Sequence, residues 1–275
     1  MTEKGNIMSQ FTFGFIGCGN MGGALALAAS KALSADRLAV CDTDPSKTEP
    51  FAKNGKATLA SLADVATKSD YIFLAVKPQS MAGLFAVLSP MIQKRTDPFV
   101  LVSMAAGVSI AQIESYANVK CPVIRIMPNT PVSVEKGMIL YDANMQTTED
   151  EINGFLQGLS FAGRLDRLSE GLIDAAGALS GCGPAFVYLF AEGLADGGVE
   201  CGLPREKAML YAAQTLLGAA EMLLESGKHP GELKDAVCSP GGTTIAGVHA
   251  LEKGAFRSDA MNAVVAAFEK TKKLK

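Results

Sequence analysis

A doubly wound α/β domain followed by an all-α domain is the fold class this sequence predicts. Three observations point there. A glycine-rich turn joins an apolar strand to a helix near the start of the chain. Strand-length apolar runs then alternate with helical segments as far as Leu168. Beyond Leu168 the strands stop and every segment reads as helix. The expected domains are therefore 1–168, with a mainly parallel sheet, and 169–275, all helical. A chain of 275 residues is long enough for two cores.

The first strand is the run FTFGFI at 11–16, followed by Gly17, Gly19 and Gly22 and a helix-forming run over 24–33. The spacing G-x-G-x-x-G has a mechanical meaning. Gly17 allows the tight strand-to-helix turn, Gly19 lets a pyrophosphate approach the backbone, and Gly22 lets the helix pack close to the strand. Gly17, Cys18, Gly19, Asn20, Met21 and Gly22 are thus candidate cofactor contacts. The competing reading is a glycine-rich turn that binds no nucleotide. The position after a strand and before a helix favours the cradle.

The second strand is RLAVCD at 37–42, and Asp42 lies twenty residues beyond Gly22. An acid at the end of this strand hydrogen-bonds adenosine ribose hydroxyls and repels a 2′-phosphate, so Asp42 leans towards NAD over NADP. Asp44-Pro45 has the form of an N-cap with proline at the first helical position. Capping is therefore assigned to Asp44 and the ribose to Asp42. Residues 61–68 form a short amphipathic helix. The run YIFLAV at 71–76 is continuously apolar, as a parallel strand buried on both faces requires. Ligands in open α/β sheets sit beyond the carboxyl ends of strands, so Ala75, Val76, Lys77 and Pro78 border the cofactor. Lys77 either contacts a phosphate or is an ordinary exposed lysine.

Residues 99–103 and 122–127 continue the strand series, with Ser109 capping a helix over 110–116. In RIMPNTP at 125–131, two prolines preclude a regular helix or central strand. Asn129 then sits in a rigid turn, where its amide either holds the nicotinamide side of the cofactor or satisfies its own turn. Strands at 137–141 and 164–168 follow, with a helix over 149–161 between them.

In the second half, helices are expected over 172–179, 184–199, 204–226, 230–237, 243–253 and 258–275. Pro184, Pro204 and Pro230 stand where prolines begin helices. Several of these helices are apolar on more than one face and need cover on all sides. A second copy of the chain, in an intertwined homodimer, would supply it.

Composition bounds the remaining options. The net charge of −3 offers no basic field for nucleic acid. No apolar run is read as reaching the ~18 residues that span a membrane, and residues 1–10 read as a short disordered leader without a signal peptide's apolar core. The six cysteines form no C-x-x-C pair and have no histidine at zinc spacing, so no metal site is expected. They read as small buried thiols in a reducing cytoplasm. Of the two histidines, His229 precedes Pro230 in a loop and His249 lies on a helix. Acid–base chemistry must come from elsewhere.

The chemical centre of the second half is SPGGTTIAG at 239–247. Its glycines expose backbone N–H groups, and its hydroxyls meet a helix start near Thr243. This suits a carboxylate or phosphate. The alternative is a helix–helix loop with Ser239 and Thr243 as caps.

Five segments together resemble one family. GFIGCGNMG (14–22), AVKPQ (75–79), RIMPNTP (125–131), SGCGPAF (180–186) and SPGGTTIAG (239–247) stand in the order and separation of the pyrroline-5-carboxylate reductases, along nearly the whole chain. The last segment is the family's signature and is far more specific than a lone glycine motif. The resemblance implies an N-terminal Rossmann domain, a helical dimerisation domain and an active site at the subunit interface. Dimers assemble further in some relatives. It implies reduction of L-1-pyrroline-5-carboxylate to L-proline by NADPH or NADH. It also implies that Ser239, Gly241, Gly242, Thr243 and Thr244 hold the substrate carboxylate, with Thr244 placed to hydrogen-bond the ring nitrogen. Hydride adds readily to a protonated imine, so the protein need only orient and polarise. Three departures stand out: Cys182 for the usual Ser, Phe186 for the frequent Tyr, and Leu62 near where many members carry an Asn at the adenosine end.

Overall fold

The computed structural model describes residues 10–273; most of the expected leader lies outside them. Eight strands form one sheet in the order β3-β2-β1-β4-β5-β6-β7-β8. They are β1 (Phe11–Ile16), β2 (Leu38–Cys41), β3 (Thr58–Leu59), β4 (Ser69–Leu74), β5 (Val100–Ser103), β6 (Val123–Met127), β7 (Gly137–Ala143) and β8 (Gly163–Arg167). The order steps outward from β1 in both directions, the switch point at which doubly wound sheets bind ligands. Strands β1 to β6 are all parallel. β7 runs antiparallel to β6, and β8 runs parallel to β7. The connections explain this. Residues 128–136 are too short for a crossover, so the chain turns back, whereas a helix joins β7 to β8.

The continuous apolar strands are buried on both faces, as expected. Phe13, Phe15, Tyr71, Phe73, Val100 and Val102 face one core, and Ile72, Leu74 and Leu101 the other. The first core is covered by α1 (Asn20–Ala32) and α6 (Glu149–Gly158). The second is covered by α3 (Leu62–Lys68), α4 (Met81–Ile92) and α5 (Ile110–Ala117). A short α2 (Glu49–Lys53) precedes β3. Capping boxes start three of these helices: Ser61 with Asp64, Ser109 with Gln112 and Thr148 with Glu151. Asp44 caps the 3₁₀ turn Pro45–Lys47, accepting from the Ser46 N–H at 3.1 Å.

Two compact units make up the chain. One ends at Gly181 and also takes in the chain end from Phe268; the other is Cys182–Ala267. Helix α7 (Glu170–Ser180) belongs to the first unit and buries Ile173, Asp174, Gly177 and Ala178 there. The remaining helices are α8 (Gly183–Glu200), α9 (Arg205–Ser226), α10 (Pro230–Ala236), α11 (Thr243–Lys253) and α12 (Phe256–Lys272). α8 and α9 meet through Ala195, Ala208 and Ala212 beside Val199. The turn between them needs Gly202 at φ +97°.

The helical unit leaves large apolar side chains in the open. Tyr188 is 64% exposed, Leu189 71% and Leu224 69%. The stretch Glu170–Glu200 is, by length and composition, apolar enough to cross a membrane, against the expectation that none would be. Its α7 part is committed to the sheet, however: Asp174 is buried there in an ion pair with Arg125. The expectation of buried cysteines holds only in part. Cys18 and Cys121 are buried, Cys41 and Cys238 are half-buried, and Cys182 and Cys201 are exposed.

Candidate active site

The glycine loop is built as its spacing requires. Gly17 has φ +98°, and a Cβ there would stand 2.6 Å from the Ala75 carbonyl oxygen. A Cβ at Gly22 would stand 2.2 Å from the Gly17 carbonyl oxygen and 2.7 Å from the Ala75 Cβ. These two glycines let α1 and the end of β4 close on the turn. Gly19 differs: nothing lies within 4 Å of where its Cβ would be. It is also the N-cap of α1, with no side-chain cap and no acid in the first turn. An open approach to uncapped N–H groups fits a dinucleotide's pyrophosphate.

Asp42 follows β2 and is bound to this loop. The Cys18 N–H donates to its Oδ2 at 2.7 Å, and the Asp44 N–H to its Oδ1 at 2.9 Å. Partial burial pushes its carboxyl up, but the Asp44 and Cys18 N–H groups and nearby Lys47 outweigh this and hold it below the ordinary carboxylate range. Burial, with Asp42 adding to it, pushes the Cys18 thiol up to about 12. Cys18 therefore places a neutral thiol beside the cradle, not a thiolate, while its N–H is spent on Asp42. Ala75 donates its N–H to the Ile16 carbonyl at 2.9 Å, which sets the β4 end beside the glycine turn. Val76 is half-buried there, whereas Lys77 and Pro78 are exposed. Gly17 to Gly22, Asp42 and Ala75 to Pro78 are thus brought to one end of the sheet.

Asn129 lies in the turn after β6, but its amide is engaged. Its Nδ2 donates to the Ser180 carbonyl at 2.9 Å, and its Oδ1 accepts from the Met138 N–H at 2.8 Å. The side chain ties the β6–β7 turn to the end of α7. Sequence reasoning passed over the neighbouring Arg125. This arginine is 2% exposed. It pairs with Asp174 at 2.5 Å and Glu170 at 3.2 Å. Glu170 also accepts from the Ile110 N–H at 2.7 Å, and its own N–H donates to Asp142 at 2.6 Å. The available signal was an arginine inside the apolar strand VIRIM, which must find acids when buried.

In the helical unit, residues 239–242 form a tight turn. The Gly242 N–H donates to the Ser239 carbonyl at 3.0 Å, with Gly241 at φ +67° behind Pro240. Proline second and a positive-φ glycine third are what a type II turn demands. Gly242 is the N-cap of α11, again with no side-chain cap and no acid in the first turn. The capping alternative for Ser239 and Thr243 therefore fails. Among the described residues, the hydroxyls of Ser239, Thr243 and Thr244 make no hydrogen bond within the chain. Three free hydroxyls and a row of uncapped N–H groups converge on one loop. His229 caps α10, its Nδ1 accepting from the Gly231 N–H at 3.1 Å.

Residues 170–274 match the family model for pyrroline-5-carboxylate reductase dimerisation, and residues 12–107 match that for NADP oxidoreductase, coenzyme F420-dependent. The pyrroline-5-carboxylate reductase of Pisum sativum is 42% identical over 270 residues, covering 98% of this chain and 97% of that one. This chain belongs to the pyrroline-5-carboxylate reductases. The Escherichia coli (strain K12) reductase is 38% identical over 264 residues, 95% of this chain and 97% of its own. A Plasmodium falciparum pyrroline carboxylate reductase solved with NADP bound superposes with a TM-score of 0.84 at 33% identity, covering 97% and 98% of the two chains. The expected fold is the family's fold, down to a Rossmann-like N-terminal unit and a helical region matching the dimerisation model.

Proposed function

We propose that this chain reduces L-1-pyrroline-5-carboxylate to L-proline, the last step of proline biosynthesis, with NADPH or NADH as hydride donor. The observation that carries this reading is the Ser239–Thr244 loop at the uncapped start of α11, in a chain 42% identical to a pyrroline-5-carboxylate reductase over 98% of its length. Bound at the glycine loop, a reduced nicotinamide supplies the hydride. Gly17, Cys18, Gly19, Asn20, Met21 and Gly22 cradle its phosphates, Asp42 holds its ribose, and Ala75, Val76, Lys77 and Pro78 line its path. Asn129 acts by holding the β6–β7 turn that faces it.

The chain's own residues then have two tasks. Ser239, Gly241, Gly242 and Thr243 bind the substrate carboxylate through N–H groups and hydroxyls at the positive end of α11. Thr244 hydrogen-bonds the ring nitrogen and steadies it as the imine becomes an amine. No histidine or metal is assigned a role. The first 168 residues serve the dinucleotide and residues 169–275 serve substrate and assembly. The exposed apolar helices support a homodimer or an assembly of dimers. Exposed thiols without disulfides support a reducing, cytoplasmic setting.

The test is oxidation of NADH or NADPH followed at 340 nm on adding pyrroline-5-carboxylate. Turnover that depends on the imine is expected. Its absence with both cofactors would remove the assignment. The six-membered cyclic imine, run in parallel, reads the ring size.

A further inference from the structure

We infer that Asp42 makes this chain select NADH over NADPH. This rests on the reduction proposed above and concerns the adenosine end of the same cofactor. Its first ground is position. The Gly17 N–H donates to the Cys41 carbonyl at 2.8 Å, so the residue after Cys41 stands against the glycine turn. That residue is Asp42, at the place where a dinucleotide's adenosine ribose emerges from the pyrophosphate cradle.

The second ground is that the carboxylate is tethered. One oxygen accepts from the Cys18 N–H and the other from the Asp44 N–H, at 2.7 and 2.9 Å. Swinging Asp42 aside to admit a phosphate would break both of these bonds. Each carboxylate oxygen accepts about two hydrogen bonds, so one site remains on each for a vicinal pair of ribose hydroxyls. A 2′-phosphate, with about two negative charges, has no proton to offer there and meets a fixed anion. The depressed carboxyl titration keeps that anion charged at neutral pH.

The third ground is the state of the cations. A pocket for a 2′-phosphate needs a free arginine or lysine beside the strand end. No arginine occurs between Asp42 and Ser61. Lys47 is 3.8 Å from its own partner Asp44, and Lys53 is 3.6 Å from Glu49. Arg37, at the opposite end of β2, pairs with Asp70 at 3.5 Å and donates to Thr12 at 3.0 Å. The two acids at the end of β2 exceed the one lysine that faces them.

Calorimetric titration of NAD⁺ and NADP⁺ into the full chain reads this without turnover. NAD⁺ is expected to bind about 10- to 100-fold tighter, the range for one added like-charge contact at a partly exposed site. Asp42→Ser should weaken NAD⁺ and bring the ratio to parity or below. Because Asp42 also holds the loop, Asp44→Ser is the second variant. It leaves the Cys18 bond in place and frees Lys47, and should shrink the ratio severalfold. Equal or tighter NADP⁺ binding by the unaltered chain overturns the inference, and so does an unchanged ratio in Asp44→Ser and a folded Asp42→Ser. The values of kcat/KM with NADH and NADPH separate the two claims. Selective NAD⁺ binding without imine reduction would leave this inference and remove the proposed function. Imine reduction that favours NADPH would do the reverse.

Discussion

Thr244 lies in the first turn of α11, exposed, and none of the other described residues engages its hydroxyl. A hydroxyl with no structural duty can be removed without unfolding anything, so its variant reports on chemistry. Thr244→Ala is expected to lower kcat by about 10- to 1000-fold, the range for a single donor or proton-handling group. Steady-state kinetics with a melting curve alongside would check it, and normal turnover would end the assignment. Gly22 has the opposite character. A Cβ there would collide with the Gly17 carbonyl at 2.2 Å, with backbone rather than a flexible side chain. Gly22→Ala should open the cradle and weaken dinucleotide binding by about tenfold or more, as titration calorimetry would read, while far-ultraviolet dichroism stays helical. At this scale the local geometry of the candidate site was legible wherever its logic is local. Glycine spacing and the Ser-Pro-Gly-Gly-Thr-Thr turn each lie within a few residues of the backbone they shape, and the strand-end acid is marked by its place after an apolar run. Asn129 and Arg125 were not legible in the same way. Their partners, Ser180 and Met138 for one and Asp174 and Glu170 for the other, are set by the tertiary fold.

At the scale of elements, that buried arginine joins β6 to α7, and the pair fixes how the last helix of the first unit lies on the sheet. Removing Asp174 leaves the buried guanidinium with only the partly exposed Glu170, so Asp174→Ala should cost about 3 kcal/mol, whereas Arg125→Met combined with Asp174→Leu should recover most of it. Denaturant unfolding of the two variants beside the unaltered chain decides this, and equal loss in both would contradict the account. The same unit responds to alkali. Burial pushes the thiol of Cys121 up to about 12, with Glu114 adding to it, and burial does the same to the Tyr71 phenol. Both groups stay protonated in the folded chain after the unfolded chain has begun to ionise, near 8.5 for Cys and 10 for Tyr. Their raised values therefore favour the fold fully at neutral pH, and this is lost as pH climbs from about 9 to 12. Cys121→Ala should flatten the fall in melting temperature over that window. The strands and helices themselves were mostly readable, because a parallel sheet demands apolar runs and its helices carry Ser or Thr caps. The two-residue β3 was too short to leave a period, and Pro90 inside α4 interrupted the pattern of that helix. The reversal of β7 follows from a connection length rather than from any residue pattern.

Across the whole molecule, the imbalance of burial between the units governs assembly. Among the described residues, every fully buried large side chain belongs to the first unit, Phe13, Phe73, Phe155 and Leu101 among them. The helical unit buries only Ala195, Ala208 and Ala212 as a core, yet carries Val187, Tyr188, Leu189, Leu210, Tyr211, Leu223 and Leu224 in the open. Large apolar side chains exposed in this number on one unit mark an interaction surface. At about 25 cal/mol per Å², covering even a few of these side chains is a strong drive to associate, and self-association is the economical way to cover helices of one kind. Light scattering should therefore give a mass of at least two 28.7 kDa chains at micromolar concentration. Leu189→Glu combined with Leu224→Glu places charge on two of the most exposed positions and should release monomers. The first unit has its own core and glycine loop, so those monomers should still bind the dinucleotide while imine reduction falls. A native mass that stays at one chain, or charged variants that remain assembled, would mean that these faces are covered by something other than a second copy.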